Sequence, residues 1–493
     1  MKKRIMIAAL AVAAVFALSA CKQDEQPDDT VTPDNTDQNQ QTQTDDGSDN
    51  EEQDIDYLSD LSTERYDGYE FRILIRKDKI TDQYFEEPPE DIVDDAIYKR
   101  NKLVEEMYGI TITATESSSN DYEIDALNSI LAGDDAYDVI FPHSRAAFTY
   151  AVQGAVYNIN DIEAIHTEKP WWSQDIIDSC DVNGHLYVLD GDISMHRLSF
   201  AMCMYFNKRI FDELGFDYPY KAVLDGDWTF DEFAYYAKKG GSDLNGDGVM
   251  DPETDQYGFY CQEWGAPIEI LYTGGQKIYD KNEEGVLELT LYSNKTVEIF
   301  DEFFSLMDNE ACFLHLTNDP KNYDGPNLFS EGRAMIAGNN LGSAKGFRNM
   351  DDDFGIIPYP KFDEDDEYAT IVNGHAHLLV IPITVEDVER TGSIIEALCA
   401  IGSRDVVPAF YDVSLKTKYT RDEESEAMMD IIKDSVVYDI GYVAGGVGGL
   451  SSVGRELARS TTHDFASYYA AQESSAQIAL EEFNESYGGI EAD

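Results

Sequence analysis

Basic side chains are scarce in this chain. It carries 36 lysines and arginines against 97 aspartates and glutamates, a formal charge of −61 at pH 7. That balance leaves no basic face of the kind that binds nucleic acid or acidic lipid. Cysteine is scarce too. Apart from Cys21 there are only Cys180, Cys203, Cys261, Cys312 and Cys399, with no CxxC pair and no zinc spacing. Five is an odd number, so a dense disulfide framework is excluded and buried thiols are expected, with one bridge left open. Long apolar runs are missing as well. The one extended run, Ile5 to Leu18, is about fourteen residues, against the roughly 20 that a membrane-spanning helix needs. There is no HExxH and no nucleophile elbow, and the Gly-rich stretch 441–449 lacks the lysine of a phosphate-binding loop. With 97 acidic residues, no pair of carboxylates stands out as a glycosidase couple.

What is present begins with an export signal at residues 1–20. Lys2, Lys3 and Arg4 precede the apolar run. Leu18-Ser19-Ala20-Cys21 resembles the lipobox of bacterial lipoproteins, which implies lipid attachment at Cys21; an ordinary signal peptide is the alternative. The lipobox implies a protein anchored to the extracellular face of a Gram-positive cell membrane rather than spanning it. Residues 21–65 read as a disordered acidic tether. Between residues 22 and 60 there are one basic and fourteen acidic side chains, and such composition buries too little surface to offset chain entropy.

Beyond the tether, strand and helix alternate. Tyr69 to Ile75 reads as a strand, Asp94 to Tyr108 as a helix stopped by Gly109, and Ile110 to Ala114 as a strand. Tyr122 to Leu131 reads as a helix and Tyr137 to Phe141 as a short buried strand. This order argues for an α/β sheet. Ligands of open α/β sheets sit beyond the carboxyl ends of strands, so His143 and Arg145 are candidate contacts. Trp171 and Trp264 offer aromatic faces in loops, and Asn340 offers an amide to hydroxyls. The histidines at 375 and 377 read as two residues on one face of a strand, with a metal site as the alternative. Thr229 is expected to cap a helix, with Glu232 as its capping-box partner.

One loop names its own chemistry. Asp243, Asn245, Asp247 and Asp251 stand at positions one, three, five and nine, with Gly248 at six and the Val249 carbonyl at seven. This looks like the calcium loop of EF-hands. At position twelve Thr254 replaces the usual Glu, so Glu253 or Asp255 must provide the closing oxygen. A structural Ca2+ held by Asp243, Asn245, Asp247, Val249, Asp251 and Asp255 is expected.

The assembled order resembles the extracellular solute-binding proteins of bacterial ABC importers, in the group that commonly binds carbohydrates. The resemblance rests on Tyr137 to Phe141; Asn183-Gly184 through Tyr187; Met204 to Lys208; Trp228 to Phe233; Phe329 to Met335; and Phe354 to Pro360. It implies a two-lobed periplasmic-binding-protein-like fold of type II, with hinge strands and a ligand cleft between the lobes. Lobe one is expected at 66–193 plus 374–412 and lobe two at 194–373 plus 413–493. Crossings are expected at Asp190 to Ser199, Thr370 to His375 and Tyr411 to Lys418. The resemblance makes Arg197 a cleft candidate and adds Tyr359 in lobe two. It implies a monomer that takes a mono- or oligosaccharide to ABC permease subunits and catalyses nothing. The rival readings are a cell-surface glycan-active enzyme and a calcium-stabilised adhesion or scaffold protein.

Overall fold

In the computed structural model, the described residues are 56–116, 121–317, 325–411, 424–445 and 449–489. The export signal, Cys21 and most of the acidic leader lie outside them. The leader does not run free to residue 65 as composition suggests. The chain packs from Asp56 onward: Leu61 is buried, the Tyr57 ring lies 6.1 Å from that of Trp171, and Asp60 pairs with Lys169. Apolar Tyr57 and Leu61 end the low-hydrophobicity run, so the tether stops earlier than its charge implies.

The first sheet holds β1 (Glu70–Ile75), β2 (Thr111–Glu116) and β3 (Val139–Phe141) in the order β2-β1-β3, all parallel. Each connection is a helix, Ile92–Tyr108 and Tyr122–Leu131. Asp91 caps the first through the Val93 N–H, and Gly109 ends it in the left-handed region at φ 72°. The later segment 376–382 joins this sheet in short antiparallel bridges, Ile140 to Val380, His143 to His377 and Leu189 to Leu379.

The second sheet comprises β4 (Met202–Asn207), β5 (Tyr257–Gln262), β6 (Cys312–His315), β7 (Ala334–Asn340) and β8 (Phe354–Ile357). Its order is β8-β4-β7-β5-β6; β4 runs antiparallel to β7 and β8, and β5 runs parallel to β6 and β7. Every residue of β4 is buried, and each such large side chain contributes about 1.5–3 kcal/mol. Thr229 caps the helix Phe230–Lys239 through the Glu232 N–H, as its spacing predicts. Trp228 is wholly buried and donates to the Pro358 carbonyl at 3.1 Å.

Two crossings connect the sheets within the described residues. The chain leaves the first sheet through Asp190 to Ser199 and enters β4. The return passes beside it: Ala201 bridges Val372, and the Asn373 N–H donates to the Phe200 carbonyl at 2.9 Å. At the start of the first crossing Gly191 lies against the Trp171 carbonyl, the Trp172 ring and the Cys399 thiol, where a Cβ would come within 2.8 Å of each. Only glycine fits there. The third expected crossing, Tyr411 to Lys418, falls almost wholly outside the described residues. The five cysteines beyond Cys21 are free and buried. No helix among the described residues is long and apolar enough to cross a membrane.

Candidate functional site

A row of three adjoining cavities lies where the two sheets face each other. The central one, about 460 Å3, is lined by Arg76, Lys79, Met202, Trp264, Asn339 and His377, among others. A second, about 510 Å3, shares Trp264, Asn373 and His375 with it. A third, about 400 Å3, shares Lys79, Phe200 and Asn340 with it. The shared walls make one elongated cleft.

Strand ends build it. Arg76 directly follows β1, and His143 lies one residue beyond β3, after Pro142, with Arg145 in the first turn of the helix Ser144–Val152. From the second sheet come Gln262 at the end of β5, Trp264 just after it, and Asn339 and Asn340 at the end of β7. These are the carboxyl ends of parallel strands, where helices and loops leave room for a ligand.

The polar groups are held in place. His143 donates from Nδ1 and from its backbone N–H to Glu123, both at 2.7 Å, and its Nε2 accepts from Arg76 at 3.2 Å. The His143 and His377 rings stack with centroids 4.5 Å apart. The Nδ1 atoms of His377 and His196 lie 3.2 Å apart, and the Nε2 of His196 is 2.6 Å from Asp82. A consistent tautomer set has His196 donating to Asp82 and accepting from His377. The Nε2 of His377 is then a bare acceptor, and it has no partner among the described residues although the ring is only 1% exposed. Burial first, then the adjoining His196 and His143 rings and the charges of Arg76 and Lys79, hold His377 well below the usual histidine range. The Arg455 guanidinium lies 4.4 Å from the centroid of the Trp264 ring, which fixes the indole by a cation–π contact.

Four of the residues expected from sequence meet in this cleft: His143, Arg145, Trp264 and Asn340. Three do not line it. Trp171 is buried beside Trp172, and both indoles donate to Glu396, at 3.0 and 2.9 Å. That shared carboxylate, not a ligand, satisfies the paired tryptophans. Arg197 is largely buried against Asp192 at 3.5 Å, so its charge is spent inside the fold. Tyr359 is 1% exposed and lies behind β7, pressed under Gly338. Arg76, Lys79, Asn373 and Arg455 were not singled out from sequence, and His375 and His377 were read there only as one face of a strand. Arg76 was findable, because it stands just beyond β1 as His143 stands just beyond β3.

In the acidic loop, Asp243 accepts from Gly246 and Gly248 N–H groups at 2.7 and 2.8 Å, and Asp247 accepts from Val249 at 2.8 Å. Asp255, rather than Glu253, turns into the loop and accepts from Leu244 and Asp251 N–H groups. Among the described residues no three His, Cys, Asp or Glu side chains converge at metal-holding distance.

A family model for bacterial extracellular solute-binding proteins matches residues 101–400. Among solved structures, UgpB from Mycobacterium tuberculosis, in complex with glycerophosphocholine, aligns with a TM-score of 0.56 at 15% identity, over 84% of this chain and 98% of that one. The GacH receptor of Streptomyces glaucescens, solved unliganded and with acarbose, aligns with 0.53 at 11% identity, over 86% and 100%. The maltose/maltodextrin-binding domain MalE from Bdellovibrio bacteriovorus, bound to maltotriose, aligns with 0.50 at 14% identity, over 85% and 99%. No curated protein matches the chain in sequence. At these identities the likeness establishes the two-lobed binding-protein fold.

Proposed function

The chain belongs to the bacterial extracellular solute-binding proteins, and on that premise we propose that it captures a mono- or oligosaccharide and hands it to an ABC importer. One observation carries this reading: Trp264 stands in the wall of an elongated cleft, ringed by side chains suited to hydroxyls. Gln262, Asn339, Asn340 and Asn373 can each donate and accept. A sugar presents C–H faces to an indole and hydroxyls to amides, which is what this lining matches. Neighbouring folds are described with maltotriose and acarbose, which supports the same class.

Capture needs no chemistry from the protein, and we read it as a binding protein rather than an enzyme. We also read it as a monomer that docks on permease subunits and is lipid-anchored through Cys21 on the extracellular face of a Gram-positive membrane. The loop at Asp243, Asn245, Asp247, Val249, Asp251 and Asp255 is read as a structural Ca2+ staple, supported by its spacing and by the inward turn of Asp255.

The test is a thermal-shift and calorimetric screen of mono- and oligosaccharides, with peptides as controls, on the mature chain and on Trp264→Ala. Saccharides are expected to raise the melting point. The substitution is expected to weaken binding about tenfold or more while leaving the unliganded melting point in place. Stabilisation by peptides alone, or hydrolysis of a glycoside by the pure protein, would overturn the reading.

A further inference from the structure

The charge balance of the cleft runs against that of the chain. Acidic residues outnumber basic ones 97 to 36 overall, so a cleft of average composition would hold well over two carboxylates for each cation. The two cavities on either side of Trp264 hold Arg76, Lys79, Arg145 and Arg455 against Asp78, Glu123 and Glu263. Each of those carboxylates is already engaged. Asp78 pairs with Arg76, Glu123 takes two hydrogen bonds from His143, and Glu263 is gripped by Arg459 at 2.6 Å. Two cations are left over. Lys79 has only the Phe200 ring, 5.6 Å away. Arg145 lays its side chain across Gly445. Neither has a carboxylate partner among the described residues. The third cavity is different, since Asp82, Asp91 and Asp94 line it opposite Lys79 and Lys345. The surplus of positive charge therefore belongs to the part of the cleft around Trp264.

Resting on the reading that this cleft takes a saccharide, we infer that the saccharide is anionic, carrying carboxylate or phosphate groups that Arg145 and Lys79 meet. An unpaired arginine and lysine in a partly enclosed site form charge-assisted hydrogen bonds that a neutral sugar cannot repay. In a strongly acidic protein such cations also offset the long-range repulsion that an anionic ligand meets on approach. The histidines report the same local field. After burial and the neighbouring His143, it is Arg76 and Arg145 that lower the proton affinity of His375.

The experiment measures affinity of the mature chain for matched saccharides of equal length: neutral, uronate-containing and phosphorylated, at low and high salt. The expected result is that one acidic series binds at least about tenfold tighter than its neutral counterpart. That advantage should shrink at high salt, and Arg145→Gln and Lys79→Gln should each lower the acidic-to-neutral ratio. Which series wins distinguishes carboxylate from phosphate. The salt dependence needs no variant, and the melting point of each variant checks its folding. If neutral saccharides bind as tightly as acidic ones, or neither acidic series binds, the inference fails while saccharide capture stands or falls on the neutral arm. If only peptides bind, both fail.

Discussion

His377 shows how much one side chain owes to its neighbours. Its ring is stacked on His143, touches His196, and lies in the reach of Arg76 and Lys79; Glu123 and Asp82 stand one residue further out, each behind a histidine. Burial first, then these neighbouring rings and cations, depress its proton affinity in the fold. The unfolded chain has the ordinary histidine value of about 6.5, so below that pH the unfolded state binds the proton and the folded state does not. Stability from the neutral ring is complete above about pH 6.5 and is lost as pH falls below it. Melting curves between about pH 7.5 and 5.5 should show wild type losing up to roughly 1.4 kcal/mol per pH unit more than His377→Gln. Parallel pH profiles would remove His377 from this role. The pair at 375 and 377 reads in sequence as two histidines on one strand face; in the fold His375 sits exposed in a turn closed by the Ala376 N–H on the Asn373 carbonyl, and only His377 forms a β-bridge. Their place in the cleft depends on which segment bridges β3 at His143, over 230 residues away in the chain, and no local pattern encodes that.

At the scale of an element, the acidic loop is the clearest case of sequence dictating form. It is closed at its base by the bridge between Ser242 and Gln256, and Gly246 and Gly248 take positive φ at 74° and 80°, as a sharp oxygen-lined turn requires. If it holds Ca2+ with a dissociation constant near 10 µM, 1 mM Ca2+ adds about 2.7 kcal/mol and raises the melting point by roughly 3 °C or more. EGTA should reverse the shift and Asp243→Ala should abolish it. A melting point indifferent to Ca2+ in the wild type would exclude the staple. Spacing left Glu253 and Asp255 open as the closing ligand; only the folded loop turns Asp255 inward. The helices were equally legible. The apolar period and the terminal glycine mark this helix from Asp94 to Tyr108 without help from the rest of the chain; the fold starts it two residues earlier, at Ile92, capped by Asp91.

At the scale of the whole molecule, the crossings set what ligand binding can do. Residues 200–201 and 372–373 run side by side between the sheets, and a ligand that contacts both halves of the cleft favours their closure. Around the end of the helix Phe465–Ser486, Phe483 and Tyr487 pack on Phe148, while Asn484 bonds the Leu287 backbone. X-ray scattering should show the radius of gyration falling when a bound saccharide saturates the protein. An unchanged radius would mean a preformed, rigid cleft. The sequence by itself determined the element order, the α/β class, the resemblance to binding proteins and the strand-end candidates His143 and Arg145, because periodicity, caps and strand termini act over a few residues. Only the folded chain brings Trp171 to Glu396, buries Arg197 and Tyr359, and sets Arg76, Lys79, His375 and His377 in the wall of the cleft. The Trp171–Glu396 bond joins residues 225 apart and the Arg76–His143 contact residues 67 apart, where burial and pairing are set by the packing of whole sheets.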